Sequence, residues 1–358
     1  MSQKTNISII GTVGVPACYG GFESLVENLL DYTPENVQYT VFCTSKKYSE
    51  KLESYKGAKL VYLDLDANGM DSIMYDYKSM KMSLDADIML VLGVSGCMFL
   101  PFIRRKFKGK IITNIDGLEW KRDKWNPLAK WLLHYSEKQA VKYSDVVIGD
   151  NKGITDYVKE AYKKDAVLIA YGGDHVTKVQ DDSLYEKYPY MKHPYAVTVC
   201  RIEPENNVHK IIEAFSRIPE KQLVIVGNWK NSEYGTNLKE QYSEFENIHL
   251  LDPIYESHEI NWIRSNASLY VHGHSAGGTN PSLVEAMNFG LPILAFDCVY
   301  NRATTQDECL YWSTEEDIID LVNNSESKFD AIASKMKELG AKEYAWENIA
   351  RKYNDLYY

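Results

Sequence analysis

The sequence predicts an α/β fold of two Rossmann-like, doubly wound domains in tandem. Three observations carry this. Short apolar runs alternate with amphipathic helical patterns along the chain, the signature of parallel sheets covered by crossover helices. The 358 residues suffice for two domains of ordinary size. The alternation breaks once, in a polar, tyrosine-rich stretch from Gly172 to Pro194. Its turn residues Gly172, Gly173, Asp181, Asp182 and Pro189 mark it as an interdomain linker. The domains are therefore expected at 1–172 and 173–358, with the final helix free to pack back on the first domain.

In the first domain the strands are expected at Ile7–Ile10, Tyr39–Cys43, Leu60–Leu63, Ile88–Leu92, Lys110–Asn114, Val146–Ile148 and Val167–Ile169, with helices at Phe22–Leu30, Pro127–Lys142 and Ile154–Ala161. In the second, strands are expected at Tyr195–Cys200, Leu223–Val226, His249–Leu251, Leu269–His272 and Ile293–Phe296. Its helices fall at Val208–Ile218, Ser257–Asn266, Pro281–Phe289 and Ile318–Val322. A long amphipathic pattern, Asp330–Tyr353, follows with a break expected at Gly340. Ligands of such sheets bind beyond the carboxyl ends of the strands, so two sheets facing a central cleft would share one site.

Composition narrows the function classes. Hydrophobic residues at 45% and charged residues at 25% are an ordinary globular balance. A net charge of -10 argues against nucleic acid as a partner, because phosphate backbones reward a basic surface. The six cysteines form no CxxC pair and sit in or beside apolar runs, which suits a reducing cytoplasm. The N-terminal residues lack the apolar core of a signal peptide, and no apolar run reaches the ~20 residues that span a bilayer. Membrane contact is then expected to be peripheral, on the inner face of the cell membrane.

Four motifs follow expected strands. The first runs from Gly11 to Glu23 and contains Gly14, Gly20 and Gly21. Such glycines let backbone approach a ligand, and a helix start offers N–H groups to an anion. Its spacing is not GxGxxG, and no acidic residue follows the second strand, which weakens a dinucleotide reading. The second runs from His272 to Glu285. Pro281 suits a first helical position with Asn280 as cap, so Gly277, Gly278 and Thr279 present N–H groups at a positive helix end, a diphosphate site. Glu285, about one turn on, can accept a hydrogen bond from a sugar hydroxyl of a nucleotide. The third is Arg201, which ends a strand and can fork onto phosphate; a surface pair with Glu203 or Glu205 is the plain alternative. Arg302 is a weaker candidate for the same role. The fourth combines Asp116, Glu119, Trp120, Lys121, Arg122 and Trp125. Asp116 and Glu119 can meet sugar hydroxyls or an acceptor proton, the tryptophans can stack on sugar faces, and Lys121 and Arg122 can meet an acceptor phosphate. The plain alternative is a capped loop entering the helix at Pro127.

Two further patterns carry less. Asp64-Leu-Asp66 has the form of a metal-binding DxD but reads as a loop. His272 and His274 share a strand face without a third ligand, so no metal is expected. The segment Phe99–Lys110 combines Phe99, Phe102, Ile103 and Phe107 with Arg104, Arg105, Lys106, Lys108 and Lys110. One amphipathic face there would rest on a bilayer; an ordinary packing helix is the alternative.

Arg201–Glu205 and the run from Gly277 through Glu285 to Pro292 resemble glycosyltransferase family 4, which has the two-Rossmann GT-B fold. Gly14–Glu23 and Asp116–Arg122 resemble its bacterial β-1,4-rhamnosyltransferase branch, active in capsule and cell-wall polysaccharide synthesis. The likeness covers nearly the whole chain. It implies a retaining, metal-independent transfer without cofactor from a nucleotide-sugar donor, typically dTDP-β-L-rhamnose, to a sugar on a lipid diphosphate. It also implies that Asn206 stands in the nucleotide site where the family usually has a phosphate-binding lysine. The usual first glutamate is replaced by Gly277 and the usual first-domain histidine by Asp116. Retention by double displacement would need a nucleophile about 5 Å from the acid, and none is evident. A front-face path needs mainly charge stabilisation, which Arg201 and the helix start can supply. Two other readings share these features: a non-hydrolysing nucleotide-sugar epimerase and a non-catalytic sugar-nucleotide-binding protein.

Overall fold

The computed structural model describes residues 4–18, 20–121 and 125–358. Two compact units are present, Met1–Tyr171 with Trp346–Tyr358 and Gly172–Ala345.

The first unit is built on strands β1 (Thr5–Ile10), β2 (Val37–Thr44), β3 (Ser54–Tyr55), β4 (Ala58–Leu63), β5 (Ile88–Leu92), β6 (Lys110–Asn114), β7 (Val146–Gly149) and β8 (Val167–Leu168). Their order is β3-β4-β2-β1-β5-β6-β7-β8, parallel throughout except for the β3–β4 pair. Every residue of β5 is buried, as befits an interior parallel strand covered on both faces. The connecting helices are α1 (Gly21–Asp31), α2 (Asp71–Met82), α3 (Leu100–Ile103), α4 (Pro127–Tyr143) and α5 (Lys152–Tyr162). Right-handed crossovers put α1 on one face and α2 to α5 on the other.

The second unit holds β9 (Tyr195–Val199), β10 (Gln222–Val226), β11 (Ile248–Leu251), β12 (Leu269–His272), β13 (Ile293–Phe296) and β14 (Leu310–Trp312) in the order β11-β10-β9-β12-β13-β14, all parallel. Its helices are α6 (Leu184–Lys187), α7 (Val208–Ser216), α8 (Glu233–Tyr242), α9 (Ser257–Ser265), α10 (Pro281–Phe289), α11 (Val299–Thr305), α12 (Glu315–Asn324) and α13 (Glu326–Glu343). The last helix, α14 (Trp346–Asp355), belongs to the first unit. Trp346, Ile349, Ala350 and Tyr353 join Leu25, Val26, Leu29 and Leu30 of α1 in one core with Ile7, Ile9 and Val41 of the sheet.

Several expectations need correction. The stretch Gly172–Pro194 is not a linker but packed chain of the second unit. The rings of Tyr185 and Tyr188 lie 5.0 and 6.2 Å from Trp262, and Val179 N–H bonds Ser265 Oγ at 3.0 Å. Residues 346–358 fall in the first unit, so the final helix does pack back on the first domain. The last long helix breaks at Tyr344–Ala345, not at Gly340, which lies inside α13. A Cβ at Gly340 would come within 3.2 Å of Asn288 on α10, so its smallness lets the two helices lie close. The segment 99–110 forms no continuous amphipathic face. Ile103 and Phe107 are buried in the core, Arg104 is paired with Asp145, and Lys110 opens β6. Among the described residues, no helix is long and apolar enough to cross a membrane.

Buried polar groups of the second unit include His272, at the carboxyl end of β12. It is 2% exposed, and its Nε2 has no hydrogen-bond partner among the described residues. Burial therefore pushes its pKa down to about 3. A histidine held neutral in the fold but free to charge when unfolded stabilises the fold fully above its unfolded value of about 6.5. That contribution is lost as pH falls toward the folded value. We expect the stability difference between wild type and His272→Phe to shift by about 1.4 kcal/mol per pH unit between pH 6 and 4, in favour of the variant. Urea denaturation across that range measures it; parallel curves would contradict it. Comparing the two proteins isolates His272 from Asp76 of α2, whose buried carboxyl is pushed up to about 7 and acts in the opposite sense.

Candidate functional site

In the second unit the candidate residues gather at the carboxyl ends of β9 and β12. After β9 the chain passes Arg201 and enters a short 3-10 turn, Pro204–Asn206. After β12 it passes Gly273 and His274 and reaches α10. The two loops are tied together. Asn206 Nδ2 bonds the Arg201 carbonyl at 2.7 Å, and its Oδ1 meets His274 Nδ1 at 2.7 Å. Asn207 Nδ2 bonds the Gly273 carbonyl, and Asn301 Nδ2 bonds that of His274, both at 2.8 Å. A Cβ at Gly273 would lie 2.0 Å from the Asn206 carbonyl oxygen, so only glycine permits this approach. Asn206 thus braces the two loops, buried with both side-chain groups engaged. Arg302 forks onto Asp297 at 2.6 and 2.9 Å and bonds Asp307 at 2.8 Å, so three of its N–H groups are engaged within the chain. Arg201 is different. Its side chain is 54% exposed, and its ion pair with Glu203 is loose at 3.9 Å.

The start of α10 has the expected cap. Asn280 Oδ1 accepts from Ser282 N at 3.0 Å, with Pro281 in the first turn. Gly277 has φ +102, a region that side-chain-bearing residues rarely adopt; Thr279 is buried. Glu285 points away from open solvent. Its Oε2 is 2.7 Å from Arg264 Nη1 on α9, and its Oε1 is 3.3 Å from His175 Nε2. Burial raises the Glu285 pKa, but Arg264 and then His175 outweigh it and hold the carboxyl below its ordinary value. The sequence did not single out Arg264 or His175. A lone arginine in an amphipathic helix reads as solvated, and His175 sits in what read as a linker. Its segment lies close because Gly173, whose Cβ would meet the Val284 carbonyl oxygen at 2.6 Å, passes along α10.

In the first unit the glycine-rich loop after β1 is organised by the chain itself. Glu23 is 4% exposed, and its Oε1 accepts from Thr12 Oγ1 at 2.7 Å and Val13 N at 2.6 Å. Its Oε2 accepts from Gly20 N at 2.9 Å. The carboxylate therefore occupies the place at the start of α1 that the sequence reading gave to a bound anion. Gly14, at φ +130, is required because a Cβ there would lie 2.6 Å from Cys43 Sγ. Gly20 is the helix cap and Gly21 the first residue of α1. Local packing accounts for Gly14, while Gly20 and Gly21 stand at the start of α1.

The fourth motif follows β6. Asn114 Oδ1 accepts from Asp116 N at 3.0 Å, and Asp116 takes a left-handed conformation at φ +57. Trp125 Nε1 donates to Glu119 Oε1 at 3.1 Å. Trp120 Nε1 donates to Glu137 Oε2 at 3.0 Å, and the Trp120 ring stacks 4.5 Å from His134. Tyr157 and Tyr162 also donate to Glu137, so this buried carboxylate fixes the wall behind Trp120. Lys121 lies over the Trp120 and Tyr157 rings. Trp120 and Lys121 line an open groove of about 450 Å³ with Lys130, Trp131 and His134. Trp125 bonds to Glu119 and is not among the groove's lining residues; Arg122 lies outside the described residues. Glu137, Lys130 and Trp131 were hidden in the sequence as members of an ordinary helix. Among the described residues, no three His, Cys, Asp or Glu side chains group as a metal site.

Residues 181–325 match the family of glycosyl transferases group 1. The second unit carries a glycosyltransferase group 1 domain. That domain contains Arg201, Arg264 and the loop 277–285. Residues 4–174 match a domain of unknown function, DUF1972. A comparison with curated proteins gives no sequence match. Among solved structures, sucrose-phosphate synthase from Thermosynechococcus elongatus is similar at a TM-score of 0.83 and 15% identity, over 99% of this chain and 98% of that one. Anabaena HepE in complex with UDP follows at 0.78 and 12%, over 99% of each chain. The catalytic domain of starch synthase IV from Arabidopsis thaliana, bound to ADP and acarbose, gives 0.74 and 12%, over 99% of each chain. The fold is GT-B. Together with the group 1 domain it supports a sugar-transfer function.

The Arg264–Glu285 pair, with side chains 10% and 14% exposed, should behave as one unit. Removing one partner strands a buried charge, at a cost on the order of 3 kcal/mol. Glu285→Ala and Arg264→Met should each show it in chemical denaturation. The double variant should lose far less than the sum, and additive losses would contradict the coupling.

Proposed function

We propose that the chain is a retaining glycosyltransferase that moves L-rhamnose from dTDP-β-L-rhamnose to a sugar on a lipid diphosphate, in capsule or cell-wall polysaccharide synthesis at the cytoplasmic side. The observation that carries the transfer reading is the ionised, nearly buried Glu285 inside a group 1 domain, one turn into a helix whose first turn follows Gly277-Gly-Thr-Asn280. A carboxylate fixed by Arg264 can accept a nucleotide hydroxyl without paying again for its own orientation. The helix start and the exposed Arg201 suit the diphosphate. HepE in complex with UDP and starch synthase IV bound to ADP support a nucleoside diphosphate donor on this fold.

The rhamnosyl reading rests on the resemblance of Gly14–Glu23 and Asp116–Arg122, and on Gly277. Its backbone at φ +102 disfavours the glutamate usual there, so the sugar is met differently from typical members. The groove lined by Trp120, Lys121, Lys130, Trp131 and His134 offers aromatic faces and two ammonium groups, which suits a sugar bearing a diphosphate. Asp116 and Glu119 are then the acceptor-side carboxylates. In a front-face transfer the acceptor oxygen bonds C1 as the C1–phosphate oxygen bond breaks. The acceptor proton passes to the leaving diphosphate, whose charge Arg201 and the helix start stabilise. This scheme uses no metal.

The test is transfer of labelled rhamnose into a lipid-diphosphate acceptor, with retained configuration. Turnover should require acceptor and survive EDTA. Arg201→Ala should weaken dTDP binding roughly ten- to a hundredfold in calorimetry, the loss of one charge-assisted hydrogen bond. Conversion of donor alone would favour the epimerase reading. Binding of donor without any turnover would favour a sensor.

A further inference from the structure

The layer formed by α2, α3 and α4 leaves large apolar side chains on its outer face. A helix that only covers a sheet exposes few large apolar side chains. Here α4 buries Ala140 and Val141 together with Ser136, Glu137 and Gln139, yet exposes Leu128, Trp131 and Tyr135. Likewise, α2 buries Tyr75 and Met80 together with Ser72, Asp76 and Ser79, while Met74, Met82 and the preceding Met70 are exposed. Phe102 of α3 is 58% exposed between them in sequence, and Leu128 and Trp131 reach 67% and 62%. Residues 128, 131 and 135 are spaced three and four apart, so they form one stripe. The Trp131 and Tyr135 rings stack at 5.9 Å. The three helices are one surface. They cover the same sheet face, Tyr77 of α2 lies 4.4 Å from Phe99, and Ser136 of α4 accepts the Met98 N–H at 2.8 Å.

The charge on this surface is mostly positive, with exposed acids beside it at Asp85 after α2 and Asp145 after α4, the latter paired with Arg104. Lys78 and Lys81 on α2, Arg105, Lys106 and Lys108 after α3, and Lys138 and Lys142 on α4 are all exposed. Residues 97–110 contain no acid. Glu137 of α4 and Asp76 of α2 are buried, and Asp71 of α2 is paired with Lys46. This concentration stands in a chain of net charge -10. We infer that the α2–α3–α4 face docks on an anionic lipid bilayer, with the methionines, Phe102, Leu128 and Tyr135 at the acyl boundary and the cations against lipid phosphates. Nucleic acid would match the cations but not the exposed apolar side chains. A second copy of the chain would set like charges against each other. The inference does not depend on the transfer reading.

Co-sedimentation of the full chain with vesicles tests it, using phosphatidylglycerol and phosphatidylcholine in equal parts against phosphatidylcholine alone. The partition coefficient should be at least about tenfold higher on the anionic vesicles at low salt and should fall as salt rises. Phe102→Ser with Leu128→Ser should lower it about tenfold, as should Lys138→Gln with Lys142→Gln. Thermal midpoints and dTDP affinity, read in the second unit, should be unchanged and show that the variants are folded. The inference is overturned if wild type stays in solution with anionic vesicles at low salt, or if both double variants bind as wild type does. It is also overturned if the apolar variants abolish a concentration-dependent dimer instead. None of these outcomes bears on sugar transfer.

Discussion

A parallel sheet is stable only when both faces are covered, and this requirement governs the first unit. Its sheet has eight strands, but α1 alone spans the connections on one face. The missing cover comes from the other end of the sequence, where α14 lays Trp346, Ile349 and Tyr353 beside α1. The seam is polar as well as apolar. Tyr353 OH accepts from Asn114 Nδ2 at 2.9 Å, and Tyr39 and Tyr357 share a hydrogen bond at 3.0 Å. Asn114 also positions Asp116, so α14 bears on the candidate acceptor loop through one shared residue.

Both units hold their functional loops with buried polar groups rather than with ligand. Glu23 gathers three donors from the glycine-rich loop, Glu137 gathers Trp120, Tyr157 and Tyr162, and Asn206 spans two loops. Each satisfied group fixes a geometry that would otherwise be set only on binding. Glu285 is the exception in kind, because its partner is a charge.

The fold was legible wherever strands are apolar runs, as in β5, β6, β12 and β13, whose bounds match the reading. It was illegible where burial is polar. Ser72, Asp76 and Ser79 share the inner face of α2 with Tyr75 and Met80 and blur its period, so that helix was missed. The short β3 and β14 lack enough residues to show a pattern. At the site, Arg201 and the capped start of α10 were legible because cap and strand-end positions have local signatures. The roles of Arg264, His175 and Glu137 were not, because each acts across the chain on a partner that sequence spacing cannot reveal. In the first loop the packing of Gly14 on Cys43 and the bond from Gly20 N–H to Glu23 were equally hidden, because both partners act across the loop.

The two-part composition of the first unit has a consequence for biosynthesis. Its sheet is complete once residue 171 has been made, yet the helix that seals it is separated by the whole of Gly172–Ala345. At roughly 5–20 residues per second, translation takes on the order of ten to thirty seconds to cross that interval. During this time the second unit can emerge and fold as a contiguous segment while the first waits with one sheet face half bare. The order of completion on the ribosome is then opposite to the order of the sequence, and the apolar surface awaiting α14 is the natural point of chaperone engagement.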